Sequence, residues 1–238
     1  MKNKIISVLL VVFFSFCSLV FGYYGNFGYW FYKAYYSKNL DEKIECYTKA
    51  IESWKYYDGK ENLAAAYNNR GNAYVYKGDY NRAISDYNEA IRLNPKYATA
   101  YNNRGCIYEK RGDYDKAIEE YEKAIELNPE WEYPVENIGY VYFMQGKLDD
   151  ALEQLNKALS MKKESNYFNY AYWLKILIYK EKNDVQNLKE TLTSAEKYLK
   201  EQINKKPNDA SNYSDLAEIY CEANTNIDEA FDLAQKAI

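Results

Sequence analysis

Two stretches of this chain repeat one another at a fixed step. YNNRGNAYVYKGDYNRAISDYNEAIRLNP (67–95) and YNNRGCIYEKRGDYDKAIEEYEKAIELNP (101–129) superimpose at an offset of 34 residues. Tyr67, Gly71, Tyr74, Gly78, Ala83, Tyr87, Ala90 and Pro95 recur as Tyr101, Gly105, Tyr108, Gly112, Ala117, Tyr121, Ala124 and Pro129. A third copy follows in phase with Val135, Gly139, Tyr142, Gly146, Ala151, Leu155 and Ala158, and Lys163 stands where its closing proline would be. A period of this length excludes most folds. One unit is too small to bury its own apolar face, so the units must stack on one another and share a continuous core.

Each unit reads as two helices divided by Lys-Gly-Asp-Tyr or Arg-Gly-Asp-Tyr. Gly78 and Gly112 suit the left-handed residue that ends a helix, and Asp79 and Asp113 are placed to cap the next one. Gly71 and Ala83 are small enough for two helices to approach closely, while Tyr74 and Tyr87 fill the space above and below. Asn94-Pro95 and Asn128-Pro129 stop the second helix, because proline cannot continue it. The pattern Tyr67-x2-Arg70-Gly71-x2-Tyr74, Ala83-x3-Tyr87, Pro95 resembles the tetratricopeptide repeat, with Tyr for its Trp and Phe and Arg for its Leu. The resemblance implies an all-α fold, a right-handed superhelical solenoid of antiparallel helix pairs with about six units.

The units are expected at 64–97, 98–131 and 132–165, with degenerate copies on either side. EKIECYTKAIES (42–53) repeats the second-helix pattern of 115–127, and its partner helix falls in the aromatic stretch Tyr29–Tyr36, giving a first unit within 23–63. Lys43 takes the place of a small residue there. The connection from Ser53 to Leu63 is about six residues longer than its counterparts, with a surface loop at Asp58-Gly59. Tyr172, Tyr179, Leu188, Leu192 and Ala195 fit a divergent unit at 166–207 with an extended second helix, and Tyr213, Ala217, Tyr220, Ala230, Ala234 and Ala237 a partial unit at 208–238.

The first 22 residues read differently. Met1-Lys2-Asn3-Lys4 precedes the uncharged run Ile5–Gly22, a basic start followed by an apolar stretch in the manner of a signal peptide, with cleavage expected after Gly22. Eighteen residues also lie at the lower edge of a membrane span, so an uncleaved anchor is the alternative. A lipid anchor on Cys17 fits poorly, because Phe16 stands where a small residue is usual. Gly25 and Gly28 are expected to form a flexible neck. The chain is thus expected to be exported: periplasmic, secreted or membrane-anchored.

Composition narrows the chemistry. No histidine occurs, which removes Ser-His-Asp triads, Cys-His pairs and His-ligated metals. Lys and Arg number 31 against 35 Asp and Glu, a net charge of −4, and an acidic body does not point to nucleic acid. Cys17, Cys46, Cys106 and Cys221 form no Cys-x-x-Cys and are read as small buried hydrophobes. No phosphate-binding glycine loop is present, and the pairs Glu119-Glu120 and Asp149-Asp150 fall by phase on solvated helix faces. The expectation is a non-catalytic chain with no metal and no cofactor.

What remains is a binding surface. In the repeat family that the pattern resembles, the first helices line a concave groove that holds peptides. Two residues before the unit glycine stand Asn69, Asn103 and Asn137; three before it, Asn68, Asn102 and Glu136; one after it, Asn72, Cys106 and Tyr140. Four and five after it stand Val75-Tyr76, Glu109-Lys110 and Phe143-Met144. The Lys/Arg cluster by which the chaperone-binding subclass clamps a carboxylate is missing. Asn69, Asn103 and Asn137, with Asn68 and Asn102, are expected to form an amide ladder for an extended peptide, and Tyr76, Tyr140 and Phe143 its apolar contacts. The function expected is a protein–protein interaction scaffold of the cell envelope. The alternative is a glycan-binding module in which Tyr76, Tyr133, Tyr140, Tyr170 and Trp173 stack on sugar rings. Ile227, Phe231, Ala234 and Ile238 form an apolar stripe on the last helix, expected to pair with another chain or to fray.

Overall fold

A computed structural model describes residues 25–161, 169–222 and 232. The leader, the stripe residues Ile227, Phe231, Ala234 and Ile238, and the connection 162–168 lie outside the described residues. Among the described residues the chain is helical throughout, with eleven α-helices, one short 3-10 turn and no strand. It divides into two compact units, at Asn128 and Pro129.

The first unit holds α1 (Gly25–Tyr36), α2 (Leu40–Ser53), α3 (Lys60–Tyr76), α4 (Tyr80–Leu93), α5 (Ala98–Lys110) and α6 (Tyr114–Leu127). They pack as the pairs α1/α2, α3/α4 and α5/α6, with α2 also against α3 and α4 against α5. The second helices carry a narrow stripe. Ala83, Tyr87 and Ala90 on α4, and Ala117, Tyr121 and Ala124 on α6, are buried at i, i+4 and i+7, the spacing of one helix face. The first helices are buried on more than one side, as with Leu63, Ala64, Ala66, Asn68, Gly71 and Ala73 on α3, because each lies between its own partner and a neighbouring pair.

The turns within the pairs are set by single residues. Gly78 and Gly112 have φ of 77° and 75°, in the left-handed region that costs glycine nothing. Asp79 N–H donates to Tyr74 C=O at 2.9 Å and Gly78 N–H to Val75 C=O at 2.9 Å, so the last carbonyls of α3 are satisfied by a Schellman closure. Gly112 and Asp113 repeat it on α5, donating to Glu109 C=O and Tyr108 C=O at 2.9 Å each. The two expected aspartate caps differ: Asp79 accepts from the backbone N–H of Arg82 at 3.2 Å. Asp113 makes no such cap; Lys116 takes its carboxylate at 2.7 Å.

The expected neck is not a neck. Gly25 and Gly28 lie within α1, because Phe27 and Ala34 bury themselves against Cys46, Tyr47 and Ala50 of α2. Burying such side chains outweighs the roughly 1 kcal/mol that each helical glycine costs. The long connection forms a turn at Tyr56–Asp58, held by Trp54 Nε1, which donates to Gly59 C=O at 2.9 Å.

The second unit holds α7 (Glu132–Met144), α8 (Leu148–Ser160), α9 (Asn169–Glu181), α10 (Val185–Lys205) and α11 (Ala210–Glu222). Helix α7 pairs with α8 and α9 with α10; α11 packs on α10 and touches α9. Gly146 keeps the left-handed turn at φ 72°, and Asn183 performs it at φ 53° in the divergent pair. Helix α10 runs for 21 residues, the extended second helix that the sequence predicts. Its Ala195 and Leu199 form a core with Ile176, Leu216, Ala217, Ile219 and Tyr220.

Candidate functional site

In the first unit, α3 and α5 contact each other directly, and two connected hollows run along them. One, of about 410 Å3, is lined by Tyr35, Lys43, Tyr47, Asn69, Asn72, Ala73 and Tyr76. The other, of about 220 Å3, is lined by Asn72, Val75, Tyr76, Tyr87, Asn103, Cys106, Ile107 and Lys110. Asn72 and Tyr76 belong to both, so the hollows form one groove. Tyr76 stands at its rim, 79% exposed.

The floor of this groove is a chain of amides and phenols. Asn69 and Tyr47 line the same hollow. Asn68 Nδ2 donates to Asn69 Oδ1 at 3.4 Å. One repeat further, Asn103 Nδ2 donates to Asn68 Oδ1 at 3.1 Å and to Asn72 Oδ1 at 3.0 Å. Tyr87 Oη donates to the same Asn72 oxygen at 2.7 Å. The next repeat changes the pattern: Cys106 replaces the asparagine, and Tyr121 Oη donates to Glu109 Oε2 at 2.7 Å.

This geometry revises the expected ladder. Asn69 and Asn103 do lie in the groove. Asn68 and Asn102 are buried, at 2% and 8% exposure, and so are structural supports of the floor and not contact residues. Asn103 is not turned wholly to the groove, since its amide ties α5 back to α3. That leaves its carbonyl oxygen and the outer edge of the Asn69 amide as the polar groups offered to a ligand. The sequence signal for Asn103 was its step of 34; the identity of its partners, 35 and 31 residues earlier, follows only from the stacking.

Burial governs the ionisation of the groove. It pushes the Tyr47 hydroxyl up to about 12 against the opposing effect of the nearby Asn69 amide, raises Tyr87 and Tyr121 further, and raises the Cys106 thiol. At neutral pH all four are uncharged hydrogen-bonding or apolar groups. Cys46, Cys106 and Cys221 are unbridged; Cys46 is buried as expected, whereas Cys221 is exposed. Lys43 and Lys110 are the cations that line the groove.

Asn137, Tyr140 and Phe143 belong to α7 in the second unit. Asn137 and Tyr140 are half-buried, and Tyr140 and Phe143 pack against the core of Ala151, Leu152, Leu155, Leu174 and Ile178. Glu136 is 5% exposed, and burial with the nearby charge of Glu132 pushes its carboxyl up to about 8.

One structural pattern behind the groove is not apparent from the repeat alignment. Arg70, where the repeat pattern has Leu, donates from Nε to Asp86 Oδ2 at 2.8 Å and from Nη2 to Asp86 Oδ1 at 2.7 Å. Its Nη1 donates to Thr48 Oγ1 at 3.0 Å. Arg104 does the same one repeat on: Nη2 donates to both oxygens of Glu120, at 2.7 and 2.9 Å, and Nη1 reaches Asn88. Each arginine thus clamps its own second helix and the preceding one behind the groove. Glu120 is therefore not on a solvated face, as its phase suggested. Among the described residues no three His, Cys, Asp or Glu side chains gather to hold a metal, and no helix is long and apolar enough to cross a membrane.

Comparison with known proteins agrees with the helix pairs. Tetratricopeptide repeat models match residues 34–96, 68–130 and 136–166, more than half of the chain between them. A tetratricopeptide repeat protein from Parabacteroides merdae has a similar structure, with a TM-score of 0.58 at 19% identity, over 89% of this chain and 78% of that one. YrrB, described as having an unusual peptide-binding site, aligns at 24% identity and a TM-score of 0.49 over 82% of this chain and 92% of its own. Protein unc-45 homolog B of Danio rerio is 41% identical over 59 residues, a quarter of this chain and 6% of that protein, so the match speaks to the repeat alone. The chain is a tetratricopeptide repeat protein.

Proposed function

We propose that the chain is a non-catalytic interaction scaffold of the cell envelope, and that the groove of its first unit holds an extended segment of a partner protein. Proteins built from this repeat bind peptides or other proteins. The observation that carries the reading is the continuous groove over α3 and α5, where Tyr35, Tyr76 and Val75 give apolar contact and Asn69 and Asn103 give uncharged polar contact. Amides offer both donor and acceptor, as a peptide backbone does, so such a surface holds a chain without demanding a charge. The envelope location rests on the uncharged run Ile5–Gly22 behind Lys2 and Lys4.

The test is site-specific photo-crosslinking in cells. A photoreactive residue replaces Tyr76, whose side chain is exposed and whose loss leaves the core untouched. A partner adduct is expected at Tyr76, and none at Tyr57, which is exposed and lines a separate hollow with Phe27, Tyr32 and Asn62. Asn69→Ala should weaken capture by about two- to tenfold, the value of one hydrogen bond to a neutral group. Equal adducts at both positions, or capture unchanged in Asn69→Ala and Tyr76→Ala, would reject the groove. Intact Met1 on soluble cytoplasmic protein would reject the location.

A further inference from the structure

The second unit carries a pocket of a different chemistry. It measures about 180 Å3 and is lined by Tyr170 and Trp173 of α9 and by Asp215, Glu218 and Ile219 of α11. Tyr170 and Trp173 lie one turn apart on the same helix face and stack with centroids 5.7 Å apart and planes at 21°. Tyr140 adjoins Tyr170 at 6.1 Å, extending the aromatic surface towards α7. Asp215 and Glu218 are likewise three residues apart and face the same way. Ile219, 1% exposed, forms the floor.

We propose that this pocket binds the cationic head of a lysine or arginine side chain of a partner polypeptide. Three features converge on that occupant. Stacked aromatic faces attract a cation through their negative π-surfaces. Two carboxylates at the opposite wall supply charge-assisted acceptors, and a guanidinium between a ring and a carboxylate satisfies both at once. The described part of α11 has no basic residue, and Lys175 of α9 is directed elsewhere, donating to Asn156 Oδ1 at 2.7 Å and lying over the Tyr179 ring. Glu218 is exposed and forms no ion pair among the described residues. The indole Nε1 of Trp173 is buried without a hydrogen-bond partner, so the pocket is offered the ring and not the N–H. A neutral sugar stacking on the same rings would hydrogen-bond the carboxylates but leave their two charges uncompensated, which is why the cation is the better match. The occupant's being a polypeptide rests on the scaffold reading; the pocket's preference for a cation does not.

The experiment titrates the full chain with acetyl-Gly-Arg-Gly-amide, acetyl-Gly-Gln-Gly-amide and cellotriose, following the indole proton of Trp173 by NMR, assigned by its loss in Trp173→Phe. The arginine peptide is expected to shift that signal with millimolar affinity, at least about tenfold tighter than the glutamine peptide, and less as salt is raised. Glu218→Gln, a substitution at an exposed site, should weaken the arginine peptide about five- to tenfold with an unchanged melting temperature. Asp215→Asn should act in the same direction. Equal response to the arginine and glutamine peptides, or indifference to Glu218→Gln, overturns the proposal. A cellotriose shift independent of Glu218, with none from the arginine peptide, replaces it with a sugar platform. None of these outcomes alters the crosslinking result at Tyr76, which reads the first-unit groove separately.

Discussion

At the scale of single residues, the closest approach of paired helices is decided by one missing Cβ. A methyl group built on Gly71 would stand 2.7 Å from Tyr87 Cε1, and on Gly105 2.8 Å from Tyr121 Cε1. Both rings are all but wholly buried, at 1% and 0% exposure, and their hydroxyls are anchored on Asn72 and Glu109, so neither can swing away. At Gly139 the facing group is Leu155, with Cδ2 and Cγ at 3.1 Å, a side chain without a polar anchor. Alanine is worth about 1 kcal/mol over glycine in a helix, while overpacking costs about 1–3 kcal/mol. Gly71→Ala and Gly105→Ala should therefore each destabilise by up to about 2 kcal/mol in urea unfolding, and Gly139→Ala should be near neutral. An equal loss at all three positions would show that the ring anchor is irrelevant and that backbone approach alone sets the cost.

Among the elements, the arginine clamps decide how one helix pair is tied to the next. Arg70 and Asp86 expose only 16% and 6% of their side chains, and burial keeps the Asp86 carboxyl above its ordinary value even beside the guanidinium. A buried pair of this kind adds little net stability, yet removing one member leaves the other uncompensated at about 3–5 kcal/mol. Arg70→Leu, which restores the usual residue of the repeat, should destabilise by roughly that amount, and Arg70→Leu with Asp86→Leu should recover most of it. Chemical denaturation of the four members of the cycle measures this, and additive losses would show that the pair does not couple. The turns, the second-helix stripe and the divergent pair were legible in the sequence because each depends on residues within one unit: a glycine, a proline, an i, i+4, i+7 spacing. The clamps were not, although the signal was present. Arg70 finds Thr48 22 residues back, while Arg104 finds Asn88 only 16 back, and the longer connection before α3 hides the equivalence. Helix α1 was misread at its start because its glycines suggested a neck, while the burial of Phe27 depends on α2.

For the molecule as a whole, the buried carboxylates set how stability responds to pH. Partnered acids at the surface, such as Asp184 under its hydrogen bonds from Asn187, are held below their ordinary values, and they lose a modest stabilising effect as pH falls. Glu136 works in the opposite direction. It occupies the position of Asn68 and Asn102 in the two preceding repeats, and burial with the charge of Glu132 raises it from 4.5 to about 8. Sequence showed the substitution but not its cost, since a groove-lining glutamate and a buried one are spelled alike. Because the folded state holds this proton and the unfolded state releases it near 4.5, the favourable difference is complete below that value. It is lost as pH rises from 4.5 to about 8, at no more than about 1.4 kcal/mol per pH unit. Above that window both states are ionised and no further loss accrues. The melting temperature should accordingly decline between pH 5 and pH 8, by an amount reflecting a few kcal/mol at most. Glu136→Gln keeps the shape and the hydrogen-bonding capacity and removes the titration, so its melting temperature should be flatter over that window and higher than the parent's at pH 8. Parallel melting curves for the two proteins would mean that Glu136 is ionised in the folded chain and that the pH response arises elsewhere.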